Sequence, residues 1–538
     1  MTYNRPDILN TLVRRINSFS EGYRQNIAII GDPYVGKTTL IKNILSSDEI
    51  KKDAIIPIYL EIKIEPFEFC AKRFIKSAIF QLMQSDPLLA KPQDTVLLMD
   101  DIKRDYPKTA QNCSRVLHDI EKGRFDEAYS FMLDVPATIF EESKKRCVLI
   151  LDEFHNLENF TLRHALGILA KKIMIQKDTM FLFLSSRPTV SQRLLNEKLY
   201  MLFGNFEKMF LPQFDAGMSR SFLQEGMHSV SLPHVYLDFL ASFTGNKPFY
   251  MSLVCNEIER LVFSQKAPSD RFDLIIEMAL SESIFKKTGA INQHFFNFFH
   301  KISDGKLLSK SSAVLVALSE ENKKQNDIVR SANLQARDVS KILNRLTEMD
   351  ILARNGSMYR FKDKLFSFWL RSVYLKKIMS FSIDEALEQG LFRKEINAHL
   401  SAFIREFEKG LSSRVADLFR LFKNDVIQLN GRKHKFTSFN EVEKLEEDHH
   451  SDTHLLASNG KTRWLCMLKR EVVTESDMSE IVKTVKKKRQ NRVQRHILVC
   501  VAGINQNAYL IAKEAKFWVW NMDDLNVLME LYGKPHVV

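Results

Sequence analysis

Residues 31–38 read Gly31-Asp32-Pro33-Tyr34-Val35-Gly36-Lys37-Thr38, in the spacing G-x-x-x-x-G-K-T. Glycines so placed let the backbone wrap a polyphosphate, while amide N–H groups and the positive end of a following helix face the anion. Lys37 then reaches the outer phosphates, and the Thr38 hydroxyl ligates Mg2+. The flanks suit that chemistry. Ile27-Ala28-Ile29-Ile30 reads as a short buried strand, and Thr39-Leu40-Ile41-Lys42-Asn43-Ile44-Leu45 reads as a helix. The bland alternative is an ordinary glycine-containing turn. With 18 glycines in 538 residues, chance produces the pattern in roughly one such chain in a hundred or fewer. Residues Gly31 to Thr39 are therefore the expected ATP-binding set.

A second run carries acids. Cys147-Val148-Leu149-Ile150-Leu151 precedes Asp152-Glu153, which suits a buried parallel strand with carboxylates at its C-terminal edge, where doubly wound sheets bind ligands. Asp152 is placed to hold the Mg2+ shell and Glu153 to act as general base toward water. A third run, Met180-Phe181-Leu182-Phe183-Leu184, ends in Ser185-Ser186-Arg187. Ser185 or Ser186 is a candidate sensor of the terminal phosphate; a strand-end arginine such as Arg187 is more often a solvated surface group.

Those residues need a scaffold. A chain of 538 residues with 45% apolar composition supports two to four domains with sizeable cores and excludes wholesale disorder. The net charge of +12, from 78 basic and 66 acidic residues, suits nucleic-acid contact without demonstrating it. Cys70, Cys113, Cys147, Cys255, Cys466 and Cys500 are scattered and show no C-x-x-C spacing. They read as reduced thiols of a cytoplasmic protein, with no zinc site and no disulfide frame. No signal-peptide core is expected at the N-terminus, and no apolar stretch is long enough to cross a bilayer.

Along the chain, residues 1–215 form the nucleotide-binding unit. Strands are predicted near 27–30, 55–62, 147–151, 180–185 and 208–211, with a large helical insertion from about 64 to 146. Residues 216–303 read as a helical lid containing Thr244-Gly245-Asn246-Lys247-Pro248-Phe249-Tyr250. Residues 304–378 read as a winged helix-turn-helix. Its third helix, Leu334 to Leu346, offers Gln335, Arg337, Lys341 and Arg345 to a DNA groove, and Asp338 and Glu348 dilute that face. Asn355-Gly356 is the turn of its hairpin. Residues 379–538 carry a further strand–helix pattern. It includes a basic helix with Lys483, Lys486, Lys487, Lys488, Arg489, Arg492 and Arg495, the best single candidate for phosphate-backbone contact.

The phosphate loop, the Leu-Asp-Glu strand, Ser-Ser-Arg and the Gly-Asn-Lys-Pro-Phe-Tyr turn together resemble the archaeal-type ATPases of the STAND branch of AAA-like P-loop proteins. Arg5-Pro6-Asp7-Ile8-Leu9 loosely matches the segment that lies near the adenine in that family, and Tyr359 to Arg371 is similar to its segment downstream of the winged helix. The resemblance implies a winged helix and a C-terminal restriction-endonuclease-like α/β domain. Such a nuclease needs a helix acid, an Asp on one hairpin strand and [DE]-x-Lys on the next, to hold Mg2+ and activate water. Glu408 matches the first, but the second falls on His454 and the third on Met467-Leu468-Lys469. A thioether cannot replace a carboxylate for hard Mg2+. The implied domain is a nuclease fold without standard cleavage, with Asp452 and Glu471 as the acids that would rescue it.

The expected architecture is thus an α/β P-loop parallel sheet with a helical lid, a winged helix-turn-helix and a C-terminal restriction-endonuclease-like α/β domain. The expected function is a Mg2+-dependent ATP-driven switch that contacts DNA, a protein partner or a second copy, with no membrane role. Its rivals are an ATP-regulated nuclease and a nucleotide-holding interaction scaffold.

Overall fold

The computed structural model describes the chain apart from residues 1–4, 52, 84–94, 161, 163, 200–203, 266–269, 304–307, 321–323, 380–383, 446–452, 488–492 and 538. It divides into two compact units. The first comprises residues 1–218 with 247–250 and 348–350, and the second holds the remainder.

In the first unit, β1 (Asn26–Ile30), β2 (Ile55–Glu61), β3 (Arg146–Asp152), β4 (Thr179–Ser185) and β5 (Phe206–Phe210) form one sheet in the order β2-β3-β4-β1-β5. Every pairing is parallel. The strands expected from the apolar runs are all present, because strands covered on both faces need apolar residues at every position. Alternate residues serve the two faces. Ile27, Ile29, Val148, Ile150, Leu182 and Leu184 pack on helices Pro6–Ser20 and Lys37–Ser46. Ala28, Ile30, Leu149, Leu151, Phe181 and Phe183 pack on the insertion, whose helices include Phe67–Leu82 and Phe125–Ser143. Since all strands run the same way, the ends of β1, β3 and β4 share one edge.

The second unit begins with helices, among them His234–Phe243 and Phe272–Leu280. The long helix Glu385–Glu408 packs on these: Arg393 pairs with Glu277 at 2.6 Å, and Phe403 meets Phe239 at 5.6 Å. Helices Leu308–Ser319, Gln325–Ala332 and Ala336–Glu348 are followed by the hairpin β6 (Leu352–Asn355) and β7 (Met358–Phe361).

The C-terminal part holds the hairpin β8 (Val426–Leu429) and β9 (Arg432–Lys435) and a second five-stranded sheet. That sheet runs β10 (Glu441–Leu445), β11 (Thr453–Ser458), β12 (Arg463–Lys469), β13 (Arg495–Cys500) and β14 (Trp518–Trp520) in sequential order, the first three antiparallel and the last three parallel. The turn of the β6–β7 hairpin is spliced to β8. Ser357 N donates to Val426 O at 2.9 Å, and Asn355 exchanges hydrogen bonds with the backbone of Gln428 at 2.6 and 3.1 Å. Gly356 sits at φ +60°, and a Cβ there would lie 2.0 Å from Val426 O. Met358 belongs to the C-terminal apolar core.

One expectation is corrected. Arg495 opens β13 with its guanidinium 4.3 Å from the centre of the Trp518 ring, rather than extending the basic helix. That helix spans Glu475–Lys487 and includes Glu475, Asp477 and Glu480 ahead of Lys483. The charge run crosses an element boundary that no glycine or proline marks. Lys488, Arg489, Arg492 and Asp452 lie outside the described residues, as do the side chains of Lys486 and Lys487.

Candidate nucleotide site

β1 ends at Ile30, and the loop 31–36 leads into helix Lys37–Ser46. Two glycines are enforced sterically. A Cβ on Gly31 would lie 2.5 Å from Leu211 O, and Gly36 occupies φ +92° as the residue before the helix. Tyr34 also has positive φ, +70°, a conformation disfavoured for a bulky side chain. Its ring stacks on Phe249 at 5.0 Å and tilts against Tyr250 at 5.4 Å, with Lys247 Nζ 5.9 Å from its centre. The Lys-Pro-Phe-Tyr turn is thus brought to the loop. Val35 is buried in the core and Thr39 is exposed; Asp32 and Pro33 are half-buried.

Lys37 is buried, and its Nζ donates to Gly31 O at 3.0 Å and Asp32 O at 2.8 Å. Burial lowers its pKa, the acids Glu153, Asp152 and Asp32 oppose that, and Arg5 reinforces it. The lysine and both strand-end acids therefore share one electrostatic neighbourhood. Thr38 Oγ1 donates to Asp152 Oδ2 at 2.6 Å, joining residues 114 apart in sequence. Tyr59 Oη, from β2, donates to the same oxygen at 2.7 Å, and Glu153 N donates to Asp152 Oδ1 at 2.9 Å. Burial, then Asp152, pushes the Tyr59 hydroxyl well above its ordinary pKa, so it remains a donor. Thr38 and Asp152 present adjacent hard oxygen ligands, a donor set that fits Mg2+.

Glu153 follows β3 at φ +53°, an uncommon conformation that aims its side chain along the sheet edge. Ser186 donates to its Oε2 twice, from N at 3.0 Å and Oγ at 2.7 Å. Burial raises the Glu153 pKa, while Ser186 and Lys37 oppose the shift. His155 Nδ1 stands 3.2 Å from the same Oε2. Burial first, then Arg187 and Lys37, press the His155 pKa down to about 3. A neutral imidazole makes no ion pair with Glu153 at that distance.

The two serines part company here. Ser185 is fully buried; its Oγ lies 2.8 Å from His155 Nδ1 and accepts from Ser191 Oγ and Arg187 N. Ser186 is half-buried and faces Glu153. Tyr59 and His155 escaped the sequence reading; the signals were a tyrosine inside the apolar run of β2 and a histidine two residues beyond Glu153. Arg5 is buried too. Its Nη2 donates to Pro212 O at 2.7 Å, its guanidinium is 5.0 Å from the centre of the Phe214 ring, and burial lowers its pKa to about 10.

The other acid set is not assembled in this way. Glu408 is exposed at the end of the long helix. His454 pairs across strands with Met467, whose buried side chain joins Met478, Leu498 and Cys500 in an apolar cluster. Lys469 ends β12 opposite Cys500, and Glu471 follows it, exposed. Among the described residues no three His, Cys, Asp or Glu side chains gather to hold a metal ion, and no helix is long and apolar enough to cross a membrane.

No protein-family model matches the chain, and no curated protein matches it. Solved structures do align. The Walker-type ATPase PABY2304 of Pyrococcus abyssi aligns at 12% identity with a TM-score of 0.47, covering 68% of this chain and 95% of that one. The ORC2 protein of Aeropyrum pernix, in ADPNP-ADP complexes, aligns at 13% identity and 0.45, covering 70% and 95%. The RuvB Holliday junction branch migration motor of Thermotoga maritima aligns at 13% and 0.32, covering 70% and 96%. These likenesses are too remote to assign an activity, which must come from the chain's own geometry. That geometry is a five-stranded parallel sheet carrying a glycine loop, a lysine and two acids on one edge, an arrangement consistent with a P-loop ATPase fold.

Proposed function

We propose that this chain binds ATP with Mg2+ at the edge formed by β1, β3 and β4, and hydrolyses it. The observation that carries the reading is the 2.6 Å hydrogen bond from Thr38 to Asp152 beside Lys37, since it unites the loop and the acid strand in one site. The amides of residues 31–36 and the start of helix Lys37–Ser46 cradle the phosphates. Lys37 exchanges its backbone acceptors for phosphate oxygens. Thr38 and Asp152 would hold a Mg2+ ion, which would supply charge withdrawal from the phosphates. Tyr59 fixes the orientation of Asp152. Glu153 takes the proton from the attacking water, oriented by Ser186 and His155. Ser186, rather than the enclosed Ser185, is the serine placed to respond to the terminal phosphate.

Slow turnover is expected until a partner supplies an arginine to the transition state. The partly buried environment of Glu153 raises its pKa and fits a base that works above the usual carboxylate range.

The second part of the reading is that nucleotide state governs contact with DNA through a winged helix-turn-helix formed by residues 304–378. Arg337, Lys341 and Arg345 are exposed on helix Ala336–Glu348. Of the two acids that dilute this face, Asp338 is drawn to Lys310 at 2.6 Å, while Glu348 is exposed at the end of the helix. The C-terminal sheet is read as a restriction-endonuclease-like fold without cleavage, because a thioether occupies a metal-ligand position.

ATP binding and hydrolysis should be measured for wild-type and Lys37→Ala protein, with and without duplex DNA. Loss of binding in the variant and DNA-stimulated turnover in the wild type are expected. Unchanged ATP affinity in Lys37→Ala would sink the site. Turnover indifferent to DNA would shift the partner to a protein.

A further inference from the structure

The second unit holds a half-open pocket of about 660 Å³, within the range of small-molecule sites. Its walls come from distant parts of the sequence: helix His234–Phe243, β7, helix Lys364–Trp369, the long helix Glu385–Glu408 and the C-terminal residues 530–535. Six cationic side chains line it, Arg360, Lys364, Arg371, Arg405, Lys409 and Lys534. They face two carboxylates, each shared between two cations. Glu530 is 2.5 Å from Arg360 and 3.4 Å from Lys364; Glu406 is 2.7 Å from Lys409 and 3.2 Å from Lys534. Asp417 meets Lys409 at 2.8 Å from outside the lining. Among the lining residues, six cations outnumber two acids.

The positive field registers on a neighbour. Burial first, then Lys364, Arg360 and Arg414, hold His536 down at about 4 although Glu530 opposes them. The rest of the lining is largely aromatic. Phe243 and Phe368 meet edge to face at 4.9 Å, and Phe239 and Phe403 at 5.6 Å. Like charge gathered around a pocket repels itself and draws ligands of the opposite sign. Arginine and lysine beside phenylalanine faces are the combination that binds phosphate and a planar ring together.

We propose that this cavity binds a nucleotide, a small ligand with phosphates on the cationic side and an aromatic base among the phenylalanines, at a second site independent of the phosphate loop. Because its walls include β7, the long helix and the C-terminal residues, the ligand would tie those elements together.

Equilibrium dialysis of the full chain with labelled ATP and Mg2+ tests this. Two sites per chain are expected in wild type and one in Lys37→Ala. Adding Arg405→Glu, an exposed position that spares the core, should weaken the remaining site tenfold or more, and Arg371→Ala should act in the same direction. Circular dichroism confirms that each variant is folded. A single wild-type site that disappears in Lys37→Ala overturns the proposal and leaves the phosphate-loop reading intact. A single site abolished only by Arg405→Glu supports it and overturns the other. Competition distinguishes the ligand class: displacement by AMP or ADP supports a nucleotide. Displacement by inorganic tripolyphosphate alone, or by duplex DNA alone, overturns it.

Discussion

Two five-stranded sheets, one in each unit, invite comparison. The first ends β3 in Asp152 with Glu153 next, and both oxygens of Asp152 and one of Glu153 meet donors: Thr38, Tyr59 and a backbone amide on Asp152, Ser186 on Glu153, with His155 Nδ1 3.2 Å from that same Glu153 oxygen. The second, on the nuclease-like reading proposed for it, has Met467 at the position of a metal-binding carboxylate, and the structure packs that methionine with Met478, Leu498 and Cys500. The lesson is physical. An acid survives at a sheet edge only where neighbours offer hydrogen bonds and counter-charge, since an unpaired buried charge is costly. The first sheet has built such neighbours around its acids. The second surrounds Met467 with apolar side chains, so an acid introduced there would find no such neighbours.

The largest test of this contrast is Glu153→Gln. Turnover should fall about 100- to 10,000-fold while ATP affinity holds, read by single-turnover hydrolysis and by titration. The pH profile sharpens it. A general base must be ionised, and burial raises the Glu153 pKa, so activity should fall with acidification at a pH above the ordinary carboxylate range. A limb at or below that range would contradict the desolvated base. Met467→Glu comes next. An unpaired carboxylate in the apolar cluster should cost about 3–5 kcal/mol in urea unfolding. A cost under about 1 kcal/mol, with Mg2+-dependent DNA cleavage, would erase the distinction between the sheets.

Gly356→Ala is expected to be milder, about 1–3 kcal/mol, because it strains a positive φ and forces a Cβ against Val426 O. Thermal unfolding that left the variant unchanged would mean that this junction yields easily. The smallest effect is that of Lys341→Ala. If it contacts one phosphate, DNA affinity should weaken uniformly across sequences and the salt slope should drop by about 1; an unchanged slope removes Lys341 from the interface.

Much of this was readable in the residues. The strands of the first sheet announced themselves because burial on both faces demands continuous apolar runs, as in Met180 to Leu184. Lys37, Thr38, Asp152 and Glu153 were identifiable because phosphate and metal chemistry fixes residue type and spacing. The supporting groups were not. Tyr59 looks like one more large residue in an apolar strand, and nothing local reveals that its hydroxyl crosses to the next strand. His155 acquires its place only when β3 and β4 lie side by side. Ser185 and Ser186 are indistinguishable until strand alternation turns one inward and the other toward Glu153. The sequence assigned the long helix Glu385–Glu408 to the C-terminal stretch, yet it packs on helices His234–Phe243 and Phe272–Leu280, since helix periodicity does not say which neighbours a helix will choose.

The splice between the β6–β7 turn and β8 has a mechanical consequence. Backbone hydrogen bonds at Ser357 and Gln428, with Met358 sunk into the neighbouring core, make the hairpin a handle on β8 and the C-terminal core. Any torque on the three helices before it would reach that core through β8. Cutting the chain near residue 379 would unseat a turn and expose a core methionine together, so the two halves should fail to fold well apart.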